Sequence, residues 1–116
     1  RSCETMLFLH DDNTTAELTR EQAGVMKKMA DSVHTAHVVW VVAPNKYTTY
    51  INPRYSAPFV DAFNKFGLGP DLYAAAQTAR WKIKDLYFPN DSHWSTAGHL
   101  YFGGQILSWL QKLDGR

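Results

Sequence analysis

Val38-Val39-Trp40-Val41-Val42-Ala43, closed by Pro44, is an unbroken run of β-branched and aromatic residues. Such a run predicts a strand buried on both faces, as in a parallel sheet, and Pro44 ends it because proline has no N–H for a ladder. Working outward, Thr5-Met6-Leu7-Phe8-Leu9 reads as a second short strand running into a polar loop at 10–15, and Leu86-Tyr87-Phe88 as a third. Helical spacing fills the intervals. Thr19 with Gln22 forms a capping-box pattern ahead of a helix from about Arg20 to His34, in which Ala23, Val25, Met26, Met29, Ala30 and Val33 recur. Phe59, Phe63 and Phe66 share one face of a second helix stopped by Gly67, and Asp71 caps a third reaching about Ala79. Ser95 or Thr96 caps a last helix carrying Leu100, Ile106, Leu107, Leu110 and Leu113, which Gly103 and Gly104 weaken locally. The segment from Pro44 to Tyr50 reads as a polar and aromatic loop. Strands alternating with helices predict an α/β layer with right-handed crossovers and a short sheet whose edges need covering.

With 116 residues, 45% hydrophobic and 20% charged, the chain has the length and balance of one globular domain, residues 1–116. No apolar run approaches the roughly 20 residues needed to cross a bilayer, so membrane insertion is not expected. A net charge of +1 with both signs interspersed predicts no nucleic-acid partner. Cys3 is the only cysteine, which excludes an internal disulfide and a cysteine-rich zinc site. The chain starts Arg1-Ser2-Cys3 without a basic-then-apolar leader, so any signal peptide is expected to lie outside it.

Chemistry concentrates in Asn90-Asp91-Ser92-His93-Trp94-Ser95-Thr96-Ala97-Gly98-His99. In an extended loop residues i and i+2 project to the same side. Asp91 can therefore bond one imidazole nitrogen of His93 and leave the other for a nucleophile's proton, the acid and base of a catalytic triad. The competing reading is a capping aspartate and a packed histidine. Ligands of parallel α/β sheets bind outside the carboxyl ends of the strands, where the loops at 10–13, 45–50 and 90–95 would converge. Ser92 and Ser95 are the nearest hydroxyls, but neither stands in a Gly-x-Ser-x-Gly elbow or a Gly-Asp-Ser block. Ser92 should point away from His93, and Ser95 reads as a cap. Tyr47, Tyr50, Arg54 and Trp94 suit a sugar cleft, and Lys46 suits an anionic group such as a uronate carboxylate; packing and solvation are the alternatives. A metal held by His10, Asp12 and His93 is a third possibility without a specific spacing to support it, and the expected metal and cofactor content is none.

Val41-Val42-Ala43-Pro44-Asn45-Lys46-Tyr47-Thr48-Thr49-Tyr50, followed by Tyr87-Phe88-Pro89-Asn90-Asp91-Ser92-His93-Trp94-Ser95 and Gly98, resembles the SGNH hydrolase-like proteins, GDSL-type esterases and the alginate O-acetyltransferase group among them. The resemblance runs from about Leu7 to Leu110. It implies a three-layer α/β/α flavodoxin-like sandwich, here incomplete, and a carbohydrate O-acyl (acetyl) esterase or O-acetyltransferase acting outside the cytoplasm, in the periplasm or beyond, on a polysaccharide or other acylated carbohydrate. It makes Asp91 the orienting acid, His93 the base and Asn13 the oxyanion candidate; Tyr47, Tyr50, Trp94 and Lys46, read above from their own chemistry, are the expected substrate-binding residues. The family's serine block has no counterpart in the chain, whether it precedes the Asp-x-His motif, the usual order, or follows it, as in the alginate-acetylating group. The serine is thus expected from a missing segment or a second chain, and this chain alone is expected to be inactive. A non-catalytic polysaccharide-binding module of the same fold is the alternative.

Overall fold

A computed structural model of the chain describes residues 7–8 and 16–115. Five helices account for its regular structure: α1 (Arg20–Asp31), α2 (Lys46–Tyr50), α3 (Ala57–Lys65), α4 (Leu72–Ala79) and α5 (Thr96–Asp114). The expected α/β/α sandwich with a parallel sheet is overturned. The described residues are 52% helix and 2% strand, and their β pairing is one isolated antiparallel bridge between Tyr87 and Trp94.

Among the described residues the Val38–Ala43 run has no ladder and is not a strand, and its backbone bond to them is Trp40 N–H to the Leu68 carbonyl at 2.9 Å. The run still alternates. Trp40 and Val42 pack on a cluster of Ala23, Phe59, Ala62, Phe63 and Leu68 built by α1 and α3, while Val41 between them is 47% exposed. Helices have taken the place of a neighbouring strand on one face, and β propensity records that fit to a half-buried surface rather than pairing itself. Gly69 permits the close approach: a Cβ there would lie 1.8 Å from the Trp40 carbonyl oxygen. Of the expected strand at Thr5–Leu9, Leu7 and Phe8 are described and are not helical or strand; Thr5, Met6 and Leu9 lie outside the described residues.

The helix starts follow local chemistry. Thr19 Oγ1 accepts from the Gln22 N–H while the Gln22 carboxamide accepts from the Thr19 N–H, closing the capping box of α1. Asp71 caps α4 through the Ala74 N–H, and Ser95 caps α5 through the Gly98 N–H. Gly67, with φ +64°, terminates the α3 segment in the left-handed region glycine favours. The segment expected as a loop after Pro44 instead forms α2, because Asn45 Oδ1 accepts the Thr48 N–H at 2.7 Å and starts one helical turn.

A second cluster joins α4 and α5 to the 86–87 segment around Leu72, Ala76, Ala79, Leu86, Tyr87 and Phe102. Trp94 stacks on Phe102 at 4.2 Å between centroids, tying the dyad segment to α5. Phe102 is fully buried, worth about 3 kcal/mol by the area it removes from water. The molecule measures 48 × 31 × 18 Å, and this flatness leaves Leu100, Leu107 and Trp81 largely exposed.

Candidate active site

Residues 86–95 reverse the chain on themselves. Ser95 N–H donates to the Leu86 carbonyl at 3.0 Å and Phe88 N–H to the His93 carbonyl at 3.1 Å, so the loop at 89–92 is held at both stems. Gly98 lets α5 begin against this turn, because a Cβ there would meet the Leu86 carbonyl oxygen at 2.2 Å.

Within the turn, Asp91 Oδ1 lies 2.5 Å from His93 Nδ1 and also accepts the His93 backbone N–H at 3.0 Å. A carboxylate accepts only, so Nδ1 carries the ring proton and Nε2 presents its lone pair. Nε2 makes no hydrogen bond among the described residues, and the His93 side chain is 78% exposed. The side-chain hydrogen bond from His93, then the backbone one, hold the Asp91 carboxyl below its ordinary range. Asp91 therefore stays ionised where His93 must pick up a proton.

The imidazole borders a cleft of about 290 Å³ whose wall includes Asn45, Tyr87, Ser92, Trp94 and His99. Two of the three loops expected to converge do so without a sheet; the third, with His10, Asp11, Asp12 and Asn13, lies outside the described residues. Among the described residues no three His, Cys, Asp or Glu side chains form a metal-holding group. Asn45, placed by sequence in a converging loop without a role of its own, is a wall residue. Its Oδ1 is engaged in capping α2, so its amide N–H groups are what it can offer a ligand. The cap pattern Asn45-x-x-Thr48 was the available signal. His99 donates from Nδ1 to the Ser95 carbonyl at 3.0 Å and stands edge-on to Trp94.

The other expected contacts divide. Trp94 lines the cleft. Tyr50 packs inward on Tyr87 and Phe8 with the Arg80 guanidinium over its ring, and Tyr47 meets Tyr55 edge to face; neither is among the residues walling the dyad cleft. Lys46 is not the solvent-facing anion holder expected. It is completely buried, and its Nζ donates to the carbonyls of Phe88 (2.9 Å), Asp91 (3.0 Å), Pro89 (3.3 Å) and Leu7. A buried ammonium needs such acceptors, and here three of them are the loop that carries Asp91. Ser95 is buried with Oγ donating to the Leu86 carbonyl while accepting from Gly98, so its hydroxyl is spent on structure. Ser92 lines the same cleft as His93.

Tyr87 closes the floor of this region, with its hydroxyl between Thr49 Oγ1 at 3.1 Å and the Pro44 carbonyl. Burial pushes its phenol from 10.0 up to about 12. Below pH 10 both folded and unfolded phenols are neutral and the stabilisation is complete; between pH 10 and about 12 only the unfolded chain ionises, and stability falls. The offset corresponds to a loss of about 3 kcal/mol across that window. Urea unfolding at successive alkaline pH values should show this decline, and Tyr87→Phe should flatten it; an unchanged slope in the variant would assign the decline to other groups.

In comparison with known proteins, no family model, no curated protein and no solved structure matches this chain.

Proposed function

We propose that Asp91 and His93 are the acid and base of a serine-dependent site that removes or transfers O-acyl groups, acetyl above all, on carbohydrate. The observation that carries this reading is the 2.5 Å Asp91–His93 contact on Nδ1 with an unengaged, solvent-facing Nε2 at the edge of a cleft. The competing reading needs a packed histidine, and this imidazole is 78% exposed. In the reaction, Nε2 takes the proton of a serine hydroxyl as its oxygen bonds the acyl carbon. Collapse of the tetrahedral adduct breaks the bond to the sugar oxygen, which leaves with the proton from Nε2. Water or a second sugar hydroxyl then accepts the acyl group by the same steps in reverse. The serine is supplied by a second chain or by a segment outside this sequence.

Labelling of the purified protein with a serine-directed fluorophosphonate, read by intact mass against His93→Ala, tests this. An adduct on a co-purifying polypeptide that depends on His93 supports the reading and locates the serine. A His93-dependent adduct on this chain keeps the chemistry and moves the nucleophile to one of its own hydroxyls, with Ser92 first to be examined. An unlabelled chain by itself agrees with a serine that lies outside it, and labelling indifferent to His93 removes the proposal.

A further inference from the structure

From Thr96 to Gln111, α5 carries no Asp, Glu, Lys or Arg. Its inner side is accounted for: Phe102 and Ile106 turn into the α4 cluster, and Gly98 meets Leu86. The opposite side is open. Leu100 is 75% and Leu107 56% exposed, and Gly103 and Gly104 lie between them on the same face. A solvated helix face ordinarily carries charge, and this one carries leucine and glycine instead. The glycines are an independent observation. Glycine inside a helix costs stability relative to alanine, yet a Cβ at Gly103 or Gly104 would meet no atom of the described residues within 4 Å. At Gly69 and Gly98, by contrast, a Cβ would collide with a carbonyl oxygen. Nothing among the described residues requires two glycines in the middle of the longest helix, whereas a backbone approaching from outside does.

We infer that the open face of α5 is a homodimer interface, in which two copies of the helix cross antiparallel about a twofold axis at Gly103–Gly104. The positions along the helix select this occupant. Leu100 and Leu107 stand three residues from the glycine pair on either side. A twofold axis there sets each Leu100 against Leu107 of the other copy and lets the backbones meet where neither has a side chain. An isologous contact needs a surface that complements itself, and an uncharged face of leucines around glycines does so. A strongly charged partner finds no opposite charge here. A lipid surface is the less favoured occupant, because interfacial helices carry Lys and Arg beside their apolar face, and the first basic residue of α5 is Lys112. The contact is small. A helix of 19 residues offers a strip about 28 Å long and about 10 Å wide, below the roughly 800 Å² per partner of a standard interface. The dimer is therefore weak and reversible. The inference takes nothing from the preceding proposal.

Sedimentation of the protein over a series of concentrations tests it. The parent should pass from monomer toward dimer as its concentration approaches about 1 mM, the weak end of measurable association. Leu100→Glu or Leu107→Lys alone should weaken the dimer at least about tenfold, each burying a charge without a partner. The two changes combined in one chain should restore it, because the antiparallel register brings each new carboxylate against the new ammonium of the other copy. Gly103→Ala with Gly104→Ala separates an interface from a structural role. It should raise the thermal unfolding midpoint of the dilute monomer, since alanine is the better helix former, and still weaken the dimer. All four positions are exposed, so the variants should fold as the parent does, which circular dichroism checks. A parent that stays monomeric, association indifferent to Leu100→Glu or to the alanine pair, or binding to phosphatidylcholine vesicles in place of self-association would each overturn the inference. Failure of the combined variant to regain association would overturn the antiparallel crossing.

Discussion

His93→Ala is expected to abolish acetyl-ester turnover in the active assembly, by at least about a thousandfold, because removing the base of a Ser-His-Asp unit disables the group as a whole. The loss should fall on kcat with KM little changed, since the imidazole acts on the proton in flight and not on bound substrate. Asp91→Asn should cost a comparable factor for a different reason. An amide nitrogen in place of Oδ1 would favour the ring tautomer with its lone pair on Nδ1, leaving Nε2 protonated and unable to accept. Both side chains are exposed, so unfolding midpoints should stay close to the parent's. Acetate release measured alongside thermal unfolding makes the distinction. Full turnover in His93→Ala would end the assignment of the dyad, and loss of turnover with loss of folding would make its role structural.

Lys46→Met is expected to be the most damaging single change to stability, on the order of 3–5 kcal/mol. Methionine fills the volume of the stem but donates nothing. The carbonyls of Leu7, Phe88, Pro89 and Asp91 would then be left facing an apolar group, or the 88–91 loop would have to open to water. Either outcome frees the segment that aims Asp91, so the dyad contact should loosen as well. Urea unfolding gives the stability, and the chemical shifts of the His93 ring report the dyad. A loss under about 1 kcal/mol, well below what one unsatisfied buried group costs, would show that the four contacts are replaceable by solvent.

The same lysine illustrates how far sequence reasoning reaches. Lys46 stands in a polar, aromatic stretch, and a lysine there is by default solvated or ligand-facing. Its burial depends on carbonyls at 7 and 88–91, some forty residues away in both directions, and backbone carbonyls leave no mark in a sequence. The Val38–Ala43 run is the parallel case for the fold. Its composition is satisfied equally by neighbouring strands or by helix faces, and only the packing of α1 and α3 against Trp40 and Val42 selects between them. Leu86–Phe88 was read as a strand for the same reason and contributes one antiparallel bridge, to Trp94.

What the sequence by itself determined is local: the caps at Thr19, Asp71 and Ser95, the glycine stop at 67, the helices they bound, and the i, i+2 pairing of Asp91 with His93. Each of these needs only neighbours within about one turn, so the chain carries the instruction and its partner together. Tertiary structure alone decided that no sheet forms among the described residues, that Lys46 is a clamp, and that Asn45, Ser92 and His99 share a cleft with His93. Those outcomes rest on contacts between distant segments, where burial and hydrogen-bond satisfaction override propensity.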